Sequence, residues 1–287
     1  DMPNIGVMLD PPLDLYSLPT QTSPEEINAA LNLIPNFFTL VDKKIGLPLL
    51  GITFMAACRS LLTEKPTFAT MIVGESGSFK TTLAVLFLNF MGKDFRENKN
   101  SLSFRDTKNA FEYKQHVLRD TLYLLDDFCP GNTKQATQQK EELLQAAIRS
   151  ISAGIGRTRL GADASVKATY VPSGTLLITG EQNLDVPSTV ARVFVVELEK
   201  HHVNQEVLTY IQRNRHLLPV AMVDFLRYIR STIDQSGNLL MDLEKVRHGV
   251  YQTLSNAKIH GRQVDILPFI LWGFNLFTSW LIDRKMI

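Results

Sequence analysis

Apolar residues fall along the chain in short blocks separated by polar, turn-forming stretches, and the blocks are of two kinds. Besides 101–105, reading SLSFR and counted as an extra strand, residues 68–73, 121–126, 174–179 and 193–198 are compact runs rich in Val, Ile, Leu and aromatic side chains. Runs of this length that do not alternate with polar residues predict strands buried on both faces. Between them the spacing changes to that of helices: residues 83–91 open with an apolar stripe and residues 107–118 are amphipathic. Five strands alternating with helical segments predict an α/β fold with a five-stranded parallel sheet flanked by helices. Upstream, Ser23, Pro24 and Glu26 have the N-cap, first-turn proline and third-position acid of a capping box, and residues 47–62 predict another helix.

The two ends read differently. Residues 2–23 carry Pro3, Pro11, Pro12 and Pro19, as expected of an extended linker arriving from an upstream domain, and no signal peptide is visible. Residues 204–233 mix apolar and basic residues at helical spacing. Residues 266–282 are apolar but few for a membrane span and are interrupted by Pro268, Asn275, Thr278 and Ser279, so a buried helix or subunit contact is expected, without a membrane. The expected division is residues 1–44 as linker and first helix, 45–200 as a nucleotide-handling core, and 201–287 as a helical region, the chain at Ile287 being expected to stop short of the whole protein.

Composition narrows the function only slightly. A chain of 287 residues, 45% hydrophobic and 21% charged, can bury a core, and a formal net charge of +1 excludes a generally basic nucleic-acid coat. Cys58 and Cys129 form no CxxC pair and the six histidines show no metal spacing, which points to a reduced, cytoplasmic setting.

The chemistry is concentrated where the first strand gives way to a helix. Residues 74–82 read GESGSFKTT, that is Gly74, Glu75, Ser76, Gly77, Ser78, Phe79, Lys80, Thr81 and Thr82. A glycine-rich turn between a strand and a helix N-terminus aims backbone N–H groups at a phosphate, Lys80 reaches its outer oxygens, and the Thr81 hydroxyl can hold Mg²⁺. Gly74, Lys80 and Thr81 match the phosphate-loop pattern, whereas Phe79 stands where its last glycine belongs; a phenylalanine is tolerable there only with an ordinary φ. Residues 120–128, DTLYLLDDF, supply a second motif. A strand ending in Asp126 and Asp127 puts carboxylates where open α/β sheets bind ligands, with Asp126 in the metal shell and Asp127 orienting or activating water.

In this order of motifs the sequence resembles the AAA+ ATPases, specifically their helicase-type branch. LLDDF is similar to superfamily 3 viral helicases, and PSTVARVFVVEL, residues 187–198, resembles the arginine-finger segment of MCM replicative helicases. SFRDTKNAFE, residues 103–112, followed by DTLYLLDDF resembles helicase-like ATPases that prophages, plasmids and staphylococcal cassette elements encode near primases. The resemblance covers roughly residues 45–235. It implies a P-loop NTPase of AAA+ type with a helical lid over residues 204–233, ATP and Mg²⁺ as cofactors, and a hexameric ring with sites shared between subunits. Sensor 1 is implied within residues 179–183, where the amides of Asn183 and Gln182 can meet the γ-phosphate or water. Arg192 is implied as the finger into the neighbouring site, and Arg213, Arg215, Arg227 and Arg230 are candidates for a second sensor.

Residues 156–174 exceed what a plain ATPase needs. They predict two strands, 156–160 and 165–171, around a GADA turn. In the helicase branch a hairpin here enters the central channel, which implies phosphate contacts from Arg157, Arg159 and Lys167; the tip residues Ala162 and Asp163 depart from the expected lysine. The expected activity is therefore that of an ATP-hydrolysing motor of a DNA helicase or translocase from a mobile element. Its partners would be single-stranded or forked DNA, further copies of itself and a primase or other replication protein. The alternatives are an ATP-driven protein remodeller or switch, and a nucleotide-binding scaffold without turnover.

Overall fold

The computed structural model describes residues 9–100, 102–129, 131, 133–154, 159–160, 166–167, 169–182, 184, 186–236, 243–256 and 259–287. The N-terminal part holds α1 (Pro24–Leu33), α2 (Phe37–Leu40) and α3 (Lys43–Ala57). Then come β1 (Ala69–Val73), α4 (Lys80–Leu88), α5 (Lys108–Val117), β2 (Leu122–Phe128) and α6 (Lys134–Ala153). A short pair, β3 (Arg159–Leu160) and β4 (Val166–Lys167), precedes β5 (Thr175–Gly180), α7 (Pro187–Val190) and β6 (Val193–Glu197). The C-terminal part is α8 (Gln205–Arg213), α9 (Leu218–Ser236), α10 (Leu243–Leu254) and α11 (Gly261–Asp283).

The sheet is parallel with order β2-β5-β1-β6, so the strand that leads into the phosphate loop lies between two strands from later in the chain. Four strands, not five, pair in this sheet among the described residues. The expected strand at 101–105 is reduced to one parallel bridge, Leu102 to Leu125. The reason is local: the Asp106 carboxylate accepts from the Ser103 N–H at 3.1 Å and the Asp106 N–H donates to the Ser103 carbonyl at 3.0 Å, curling the chain into a turn before it can extend.

Both faces of the sheet are covered, which is why its strands read as unbroken apolar runs. Ile72, Leu124, Leu177 and Val196 face a large cluster that includes α3, α4, α9 and α11. Met71, Leu125, Ile178 and Val193 face the other way, onto Phe111 of α5 and Leu144 and Ile148 of α6. The C-terminal apolar segment is a buried helix: α11 is long and apolar enough to cross a membrane, yet Trp272, Phe277 and Trp280 are fully buried against α3 and its neighbours. Its close approach to α3 depends on glycine. A Cβ on Gly273 would lie 2.1 Å from the Gly51 carbonyl oxygen, and one on Gly51 would lie 2.4 Å from that of Ile270.

Candidate nucleotide and nucleic-acid site

The loop after β1 is fixed by the backbone around it. Gly74 N–H donates to the Gly180 carbonyl at 3.2 Å, and a Cβ on Gly74 would lie 2.1 Å from the Leu198 carbonyl oxygen and 2.8 Å from Ser78 Oγ. The chain then turns through Gly77, at φ +78°, and the Ser78 N–H closes the turn on the Glu75 carbonyl at 3.2 Å. Ser78 Oγ is buried and has no hydrogen-bond partner, an orphan polar atom inside the loop. Lys80 opens α4, and its ammonium folds back onto the Glu75 carbonyl at 2.7 Å, within reach of whatever the loop encloses. Helix N-termini present unpaired N–H groups to anions, so loop, helix start and Lys80 converge as a phosphate cradle requires.

Phe79 corrects the sequence reading. It is the N-cap of α4 and sits in the left-handed region, at φ 68° and ψ 18°, instead of keeping an ordinary φ. The position therefore imposes the conformation that glycine normally supplies, and the phenyl ring compensates by packing, half-buried, against the larger apolar cluster.

The two motifs meet through a hydroxyl. Thr81 Oγ1 donates to Asp126 Oδ1 at 2.8 Å, across 45 positions of sequence, and Thr179 at the end of β5 donates to the same oxygen. Asp126 is half-buried, and burial raises its carboxyl above the ordinary carboxylate range; the hydroxyls of Thr179 and Thr81 pull it down, while the charges of Asp127 and Glu97 push it up. An ionised group held so, among oxygen donors, is one that a divalent cation would stabilise. Among the described residues no cluster of three or more His, Cys, Asp and Glu could hold a metal. The donors present fit Mg²⁺, which takes few protein oxygens and completes its shell with water and substrate phosphates.

β2 does not run straight through the acidic pair. Its register with β5 shifts between Leu125 and Phe128, and Asp127 takes φ +68°. This bulge leaves Asp126 facing Thr81 and turns Asp127 to the exposed surface, its N–H held by Thr179 Oγ1 at 3.0 Å. Thr179, the first residue of the segment in which sensor 1 is implied, thus positions both acids. Glu97, which accepts a hydrogen bond from Thr82, carries no signal in the sequence. It shares a cavity of about 480 Å³ beside α4 with Arg96, Gln212 and Arg215. Of the four arginines of the C-terminal helices considered as sensors, Arg215 lines that cavity, while Arg227 donates to Thr22 instead.

Arg192 is not brought to the loop. It precedes β6 at the end of the sheet opposite the phosphate loop, roughly 16 Å away by the rise of five strand residues. Its guanidinium donates to the Ser188 carbonyl and lines a cavity of about 610 Å³ together with Arg149, Arg247 and Arg262, a grouping the sequence separates by more than a hundred positions. Gln182 is exposed after β5, and Asn183 lies outside the described residues. The hairpin is present as the antiparallel pair Arg159 to Lys167 and Leu160 to Val166. Arg157 and the side chains of Arg159 and Lys167 lie outside the described residues.

No family model and no curated protein sequence matches the chain. Among solved structures, the SCCmec type IV Cch active helicase aligns with a TM-score of 0.59 at 14% identity, over 93% of this chain and 49% of its own. The apo C-terminal region of NrS-1 in its A form aligns at 0.42 with 13% identity, over 96% and 70%. Inhibitor-bound JCV helicase aligns at 0.40 with 13% identity, over 88% and 66%. The last two scores are too low to add to the argument. The chain spans about half the length of the Cch structure, and its fold is similar to that of the aligned part.

Proposed function

We propose that the chain is the ATP-hydrolysing motor of a DNA helicase or translocase from a mobile element, assembled as a ring with shared ATP sites. The observation that carries this reading is the Thr81 to Asp126 hydrogen bond at 2.8 Å, because it joins the phosphate loop to the acidic strand end at one point. Phosphoryl transfer to water asks the protein mainly to position groups and stabilise charge. Lys80 leaves the Glu75 carbonyl for the outer phosphate oxygens, and Gly74 to Thr82 wrap the phosphates with backbone N–H groups. Thr81 and Asp126 would hold Mg²⁺, which supplies charge neutralisation at those oxygens when bound. Asp127, turned outward by the bulge, orients the attacking water and accepts its proton, while Asn183 or Gln182 steadies that water or the γ-phosphate.

Arg192 is read as acting on the neighbouring subunit's nucleotide, which its place at the far end of the sheet favours over a role within one chain. The helices over residues 204–233 serve as a lid, with Arg215 toward the loop. The hairpin carries Arg157, Arg159 and Lys167 to the phosphates of a single strand. In the test, ATP hydrolysis is measured with and without single-stranded DNA. A motor is stimulated, and neutralising the three hairpin residues abolishes the stimulation while sparing the basal rate. A basal rate indifferent to DNA would favour a protein remodeller on the same fold.

A further inference from the structure

Asp127 is an exposed residue in a left-handed conformation, and a carboxylate so placed turns freely unless something holds it. Its backbone is held by Thr179, but its carboxylate is held from the other side. The Cys129 thiol donates to Asp127 Oδ2 at 3.5 Å. Lys140, in the second turn of α6, reaches back with its ammonium to Cys129 Sγ at 3.4 Å and to the Cys129 carbonyl at 3.2 Å. The same ammonium lies 5.8 Å from the centre of the Phe104 ring, which in turn packs on Phe128 at 5.8 Å between centroids. Lysine and thiol therefore form a line of donors that ends on the accepting carboxylate, each contact polarising the next.

We propose that Lys140 is a positioning residue for the Asp127 carboxylate, acting through Cys129. The proposal rests on the reading of Asp127 as the group that orients the attacking water. An acid that must meet a water within hydrogen-bond reach loses much of its effect when displaced by an ångström. Lys140 fixes the carbonyl that follows the bulge and makes the thiol a better donor, so the carboxylate keeps one orientation. Because Lys140 belongs to α6, whose C-terminal end precedes the hairpin, the contact also ties the hairpin's helix to the acid.

The test uses steady-state and single-turnover ATP hydrolysis by the full chain with Mg²⁺. Lys140→Met should lower kcat roughly tenfold, the order of one charged hydrogen bond, with KM changed less than about twofold. Lys140→Arg should restore most of the rate. Cys129→Ala, a smaller change that spares the helix, should lower kcat in the same way and add little to Lys140→Met. In the Asp127→Asn background Lys140→Met should cost nothing further, since its only route to the chemistry is gone. Losses that multiply in that double variant, or failure of arginine to rescue, overturn the inference and leave the role of Asp127 standing. If Asp127→Asn alone turns over at the wild-type rate, the functional reading falls and the inference falls with it.

Discussion

Phe79→Gly, set against Phe79→Ala, measures the strain stored in the phosphate loop. Phe79 holds φ 68°, where an L-residue costs about 1–2 kcal/mol and glycine costs nothing. The half-buried phenyl ring returns about 1 kcal/mol, half of what full burial of such a side chain is worth. Glycine also loses more backbone freedom on folding, about 0.5–1 kcal/mol relative to alanine. Phe79→Gly therefore gains 1–2, loses about 1 with the ring and a further 0.5–1 to entropy, and comes out within about 1 kcal/mol of the parent. Phe79→Ala keeps the strain and loses the ring, so it is destabilised by about 1 kcal/mol. Urea or thermal unfolding of the three proteins decides the matter, 1 kcal/mol being about 2–4 °C in Tm for a chain of this size. The expected order places glycine level with or above alanine. An alanine variant clearly more stable than the glycine variant would mean that the residue has an ordinary φ and would refute the reasoning.

Gly273→Ala should cost about 1–3 kcal/mol, because its Cβ would sit 2.1 Å from the Gly51 carbonyl and push α11 off α3; a change in urea midpoint worth less than about 0.5 kcal/mol would contradict that packing. Burial, then the charge of Asp120, pushes the Cys58 thiol up to about 12 from an ordinary 9.0. Its stability contribution is thus complete below pH 9 and is lost as pH rises toward 12, because the unfolded thiol ionises first. Between pH 9 and 10.5 the parent should lose about 1.5 kcal/mol that Cys58→Ala does not, read from paired urea titrations. Mixing Arg192→Ala with Lys80→Ala subunits should restore hydrolysis at the one class of interface that keeps both groups; no recovery in rings shown to exchange subunits would count against a shared site.

The strands β1, β2, β5 and β6 were legible within a residue or two because a parallel sheet covered on both faces demands continuous apolar runs. The capping box of Ser23 was legible for the same kind of reason, since its two hydrogen bonds need particular residue types at fixed spacing. The turn of Ser103 and Asp106 was not, because the alternation of SLSFR suits a strand and does not reveal the side-chain contacts that bend it. The Thr81 to Asp126 hydrogen bond joins two motifs that the sequence places at strand ends. The conformations of Phe79 and Asp127 did not follow, being imposed by the strands on either side against the preference of the residues themselves. Thr179 lay at the start of the segment in which sensor 1 is implied, but its hold on both acids was not legible, and Glu97 and Lys140 carry no local signal at all; only the folded chain sets them beside the acids.

The central claim is that Lys80, Thr81 and Asp126 form one nucleotide and Mg²⁺ site that turns ATP over. Its most direct test is the steady-state rate of phosphate release from ATP by the purified protein and by Thr81→Ala, across a Mg²⁺ titration. The account predicts Mg²⁺-dependent hydrolysis in the parent and a Mg²⁺ requirement shifted to at least about tenfold higher concentration in the variant, one oxygen ligand having been removed. Hydrolysis with the same Mg²⁺ dependence in both proteins, or none in the parent at any Mg²⁺ concentration, would contradict it.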